Sequence, residues 1–181
     1  MFKKKIILIY VCIFLFMFFP NIISAQEFGW VNNQEINILV PIRWQVFLNS
    51  KQIEKLLLEE HKLNDETTPL IFVQKPQNPY SFYFMIEEKR ENTITEKDIQ
   101  EIIHSIKENT KEMEGFELLE EGKALTENQE IKGKYILYRI KNLHYILACF
   151  RKNNKVISFS GTTDDTNDVP IYNYIMQNIS F

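Results

Sequence analysis

The stretch EINILVP places Ile36, Ile38 and Val40 at alternate positions and stops at Pro41, the period of a strand with one buried face. WQVF, residues 44–47, reads as a short second strand. A helical spacing follows. Either Asn49 or Ser50 suits its cap, and Ile53, Leu56, Leu57 and Leu63 recur in a loose stripe. PLIFVQK and YSFYFMIEEK, separated by PQNP, predict two further strands. In the second, Phe82, Phe84 and Ile86 alternate with Tyr83 and Met85, so both faces are apolar and cover is expected on both sides.

The clearest helix lies in TITEKDIQEIIHSIKENTKEMEG. Thr95 and Asp98 have the spacing of a capping box, and Ile99, Ile102, Ile103, Ile106 and Met113 share one stripe. Gly115 is the expected stop. Four strand-like runs come next: FELLEEGKALT, IKGKYILYRIKN, HYILACFRK and KVISFSGTT. KNNK between the last two signals a tight turn, because Asn tolerates positive φ. Short links between consecutive strands predict an antiparallel meander. A terminal helix closes the chain, with Asp168 as a cap, Pro170 in the first turn, and Ile171, Tyr174, Ile175 and Ile179 facing inward. The order of elements predicts an α+β domain, a mainly antiparallel sheet with helices on both faces.

The first residues have a different pattern. Lys3, Lys4 and Lys5 precede an uncharged apolar run from Ile6 to Phe19, which Pro20-Asn21 ends before the small pair Ser24-Ala25. That layout predicts a secretory signal over residues 1–25, cut after Ala25 with Ile23 and Ala25 at the positions a peptidase reads. The alternative is an uncleaved membrane anchor lengthened by Ile22 and Ile23, although the unbroken run is shorter than the ~20 residues a span needs. Gln26 stands where a lipoprotein signal requires cysteine. Residues 26–34 then form a short lead-in and 35–181 a single domain, periplasmic or extracellular.

Removing residues 1–25 takes three of the 21 basic residues and none of the 24 acidic ones, leaving a net charge of −6. That balance argues against nucleic acid, whose phosphates are bound by Lys and Arg. Only Cys149 then remains, so an internal disulfide is excluded. Its setting, LHYILACF, predicts a buried inert thiol rather than a nucleophile. His61, His104 and His144 stand apart without metal-ligand spacing, and GxSxG, P-loop and GxGxxG motifs are missing from the sequence. Glu59-Glu60, Glu87-Glu88 and Glu120-Glu121 are sequence neighbours whose side chains diverge on a helix or strand.

One polar cluster is dense enough to consider. In GTTDDTND, Asp164, Asp165 and Asp168 offer the hard oxygens that calcium prefers, and calcium is the one cofactor in view. The loop lacks the EF-hand's sixth-position glycine and distal glutamate; the competing expectation is a polar turn favoured by the dipole of the last helix. Trp30, Trp44, Tyr80 and Tyr83 are candidates for an aromatic interaction surface, against ordinary packing of aromatics in the core.

Beyond these residue-level readings, the chain resembles the PsbP-like fold group, which includes the extrinsic photosystem II subunit, the Ran-release factor Mog and DcrB-type bacterial envelope proteins. The resemblance rests on INILVPIRW, on TITEKDIQEIIHSI after a strand, on the meander GKYILYRI to KVISFSG, and on the closing IMQNISF. It spans nearly all of residues 35–181. It implies an α/β/α sandwich used for binding or assembly, usually without catalysis; no motif carries over residues for Ran or photosystem partners. The combined expectation is an exported, non-catalytic binding or assembly domain acting on a protein partner in the bacterial envelope. The alternatives are an envelope hydrolase with a dispersed carboxylate site, and a protein that binds a small ligand or cation. Membrane association is expected only if the first segment is retained.

Overall fold

The computed structural model describes residues 27–33, 36–58, 67–125 and 132–181. In chain order these hold β1 (Phe28–Asn33), β2 (Ile36–Pro41), β3 (Gln45–Phe47), α1 (Ser50–Leu58), β4 (Thr67–Gln74) and β5 (Phe82–Lys89). Then follow α2 (Glu96–Thr110), β6 (Phe116–Leu125), β7 (Lys132–Ile140), β8 (Leu143–Lys152), β9 (Lys155–Thr163) and α3 (Val169–Gln177). The expectations for residues 1–25, and those for Glu59, Glu60, His61 and Leu63, lie outside the described residues. No helix among the described residues is long and apolar enough to cross a membrane.

Strands β3 to β9 form one seven-stranded sheet in the order β3-β4-β5-β9-β8-β7-β6, antiparallel throughout. The predicted meander is present. KNNK makes a two-residue turn that sets Lys152 opposite Lys155, with Asn153 at φ 57°. What the meander reading lacked is its destination: β9 lies against β5 and joins the two halves of the sheet.

The alternation in β5 sorts the core into two layers. Tyr83 and Met85 point to one face, among Trp44, Ile71, Phe159 and residues of β2 and α3. Phe84 and its neighbours Phe82 and Ile86 point to the other, where α1 supplies Ile53 and Leu57. Farther along that second face, α2 lays Ile99 and Ile103 over Ile136, Tyr138, Cys149 and Val156. Helices α1 and α2 therefore cover one face, and α3 with the β1–β2 ribbon covers the other. This is the expected α+β sandwich.

Local chemistry explains the ends of α2. The Thr95 Oγ1 accepts the Asp98 N–H at 3.3 Å while the Thr95 N–H donates to Asp98 Oδ2 at 2.6 Å, a reciprocal capping box. The helix stops at Thr110, short of Gly115, and the Thr110 hydroxyl turns back onto the carbonyls of Ile106 and Lys107 at 2.9 and 3.2 Å. Met113 therefore leaves the stripe and is exposed. Gly115, at φ 82°, supplies the left-handed turn into β6 instead.

Two further differences have physical causes. The lead-in carries β1, whose few apolar residues are held by full antiparallel pairing with β2 rather than by a pattern of their own. In α3 the buried face is Ile171, Tyr172, Ile175 and Met176, and Tyr174 is exposed. The cause lies in β9, where a Cβ on Gly161 would stand 3.1 Å from the Tyr172 ring. Only glycine leaves room for that ring against the sheet, so the helix is rotated to use it.

Candidate functional site

The acidic loop between β9 and α3 holds a cation of the protein's own. Lys75, just past β4, extends its Nζ to Asp168 Oδ1 at 2.9 Å and to Asp165 Oδ2 at 3.0 Å. The Asp168 side chain is 3% exposed and Lys75 28%, so the ammonium lies at the mouth of a buried carboxylate. Behind it, the Thr163 hydroxyl donates to Asp168 Oδ2 at 3.2 Å and accepts the Asp165 N–H at 2.9 Å. That one proton being spent on the carboxylate, Ser81 Oγ is the donor to Thr163 Oγ1 at 2.7 Å. Asn78 completes the chain, donating to Ser81 Oγ at 3.0 Å and to Asp164 Oδ1 at 2.9 Å.

Electrostatics follow from that wiring. Burial works against the charge on Lys75, but its bonds and charges with Asp168 and Asp165 together outweigh it and raise its pKa. The Asn167 N–H, followed by Lys75, holds the Asp165 carboxyl below its usual range. Asp168 stands at the N-cap of α3 yet makes no side-chain cap bond, because its carboxylate is turned to Lys75. Asp164, Asp165 and Asp168 are thus bound to Asn78 and Lys75. Among the described residues no three His, Cys, Asp or Glu side chains are grouped to hold a metal ion.

The expected aromatic surface is not one surface. Trp44 is buried, edge-on to Tyr172 with ring centroids 5.9 Å apart and 6.1 Å from Tyr83. It belongs to the core because the turn after β2, closed by the Trp44 N–H to Pro41 carbonyl bond at 2.8 Å, directs it under the sheet. Tyr83 is also core, its hydroxyl donating to the Leu39 carbonyl at 3.0 Å. Trp30 on β1 and Tyr80 in the β4–β5 turn are exposed, 55% and 58%.

Other candidates are placed as follows. Cys149 is buried, its Sγ 3.6 Å from Ser158 Oγ, and burial pushes its thiol up to about 11. The carboxylate neighbours diverge: Glu87 meets Lys155 and Glu88 meets Arg90, both at 2.8 Å. Glu120 accepts from the Tyr135 hydroxyl, and Glu121 from Lys107. His104 is exposed on α2; the buried His144 Nδ1 has no partner among the described residues. Lys75, Ser81 and Thr163, the centre of the polar cluster, carried no signal of partnership beyond the PQNP turn between the first two.

Comparison with known proteins bears on the fold. The solution structure of cyanobacterial PsbP (CyanoP) from Synechocystis sp. PCC 6803 matches with a TM-score of 0.57 at 8% identity, over 89% of this chain and 95% of that one. The Ran-binding protein Mog1p of Saccharomyces cerevisiae matches with a TM-score of 0.39 at 11% identity, over 82% and 85%. No protein-family model and no curated protein sequence matches the chain. The chain has the PsbP-like fold.

Proposed function

We propose that this chain is an exported, non-catalytic binding or assembly domain that acts on a protein partner of the bacterial envelope. The observation that carries the reading is the surface at the β3 end of the sheet. Ile42, Val46 and Leu48 are 60%, 38% and 48% exposed within one short segment. β3 pairs only with β4 among the described strands, so Val46 and Leu48 flank an open sheet edge, with Ile42 exposed in the turn that leads into it. The PsbP-like fold supports the reading, as does the polar cluster around Lys75, whose groups are engaged with one another rather than presented to a substrate. The basic, apolar and small-residue succession at the start of the sequence supports export.

The test is cross-linking of the tagged protein in its native cells, followed by capture from the envelope fraction and mass spectrometry. One or two stoichiometric envelope proteins are expected, lost from an Ile42→Asp/Leu48→Asp variant, with Gln26 as the new N-terminus. A solitary protein still starting at Met1 would overturn both halves of the proposal.

A further inference from the structure

A second region lies on the opposite side of the sheet from α3, in the groove between α2 and the β6–β7 edge. Its volume is about 270 Å³. Helical spacing sets Gln100, His104 and Lys107 along one side of α2 above it. Lys123 of β6 and Lys134 of β7 rise from the sheet below, and they are direct cross-strand partners. Like charges placed opposite each other weaken a strand pair. Six residues earlier on β6 the charges match, with Glu117 opposite Arg139. Lys107 has a counter-charge in Glu121 at 2.6 Å, whereas Lys123 and Lys134 have no ion-pair or hydrogen-bond partner among the described residues. Among the described residues, three lysines against one glutamate leave the groove with two positive charges lacking a counter-charge, in a chain that is acidic overall.

We propose that this groove binds a phosphate monoester. A carboxylate would neutralise one of the two charges; a phosphate monoester carries nearly two and offers oxygens to both facing lysines. Gln100 supplies a neutral donor to the same space, and Ile103 gives the groove an apolar wall for a small organic body. The repulsion between Lys123 and Lys134 is the structural cost of a site that is completed by its ligand. This site is separate from the β3 edge and does not rest on the function proposed above.

The test uses the full chain and two probes of the same chemistry: phenyl phosphate, titrated by calorimetry, and vesicles of phosphatidylcholine with or without phosphatidic acid. Saturable binding of phenyl phosphate is expected, weakened roughly tenfold or more by Lys123→Gln/Lys134→Gln, since each lysine makes a charged hydrogen bond. Binding confined to phosphatidic acid vesicles, with the same loss in the double variant, would support the site and assign a lipid headgroup as its source. No binding of either probe, or binding unchanged in the double variant, would overturn the proposal. Thermal melting of the unliganded double variant gives an independent reading. An equal or higher Tm is expected on relief of the repulsion, and a lower one would remove its premise.

Discussion

The Lys75 ammonium lies 2.9 Å from Oδ1 of Asp168, across 93 positions of sequence, and fastens the turn after β4 to the start of α3. Asp168 is almost fully buried, and that contact and the Thr163 hydroxyl are the partners its carboxylate finds there.

Lys75→Met is therefore expected to destabilise the fold by about 3 kcal/mol, the cost of leaving a buried carboxylate without its cation. Adding Asp168→Asn should recover part of the loss by removing the stranded charge. Urea denaturation of the two variants and the native chain checks both statements.

The same contact makes a pH prediction. Asp165 is held below its ordinary 3.8, so its contribution is present above that value and is lost as pH falls through the lowered pKa. Lys75 is raised above 10.5, so its contribution is complete below that value and is lost as pH rises through the raised pKa. The Tm difference between the native chain and Lys75→Met is expected to be widest between these limits and to narrow at both ends. A difference that stays constant from acid to alkali would show that charge is not its source.

Cys149 is expected to be inert. With its thiol pushed up to about 11, little thiolate exists near pH 8, and the side chain is sealed under α2. In a Cys12→Ala background, a thiol reagent should modify the folded chain at least about a hundredfold more slowly than the urea-unfolded chain. Rapid modification in the absence of urea would contradict the burial.

Gly161→Ala should strain the contact between β9 and α3. The added Cβ would stand 2.9 Å from Ile146 Cγ2 and 3.1 Å from the Tyr172 ring. Overpacking of this kind costs about 1–3 kcal/mol. A Tyr172→Leu replacement in the same chain is expected to relieve part of it, as measured by thermal melting.

Much of the architecture was legible in the residues because each strand carries its own alternation. Tyr83 and Met85 against Phe82, Phe84 and Ile86 announce a strand covered on both faces, and the layers around β5 are built that way. Thr95 and Asp98 announce the start of α2 through a contact only three residues long. What escaped reading depends on distant partners. Trp44 is an exposed-aromatic candidate in sequence and a core residue in space, because Tyr83 and Tyr172 close over it. The face of α3 was misjudged by its middle tyrosine, since the room for Tyr172 is made by a glycine in another element. The ion pair of the acidic loop cannot be read locally because Lys75 is remote in sequence, and the facing pair Lys123 and Lys134 is invisible until β6 and β7 are in register.

The position of β9 also governs when the domain can exist during synthesis. It is made after every strand it joins, yet it separates β5 from β8 at the middle of the sheet. While residues 155–163 are still inside the ribosome, β3–β5 and β6–β8 are fragments without a shared ladder, and β2 awaits the partner it finds at Ser180. Such long-range closure is slow to form and late to begin. The seven-stranded ladder is therefore completed only once residues 155–163 have been added, near the end of elongation.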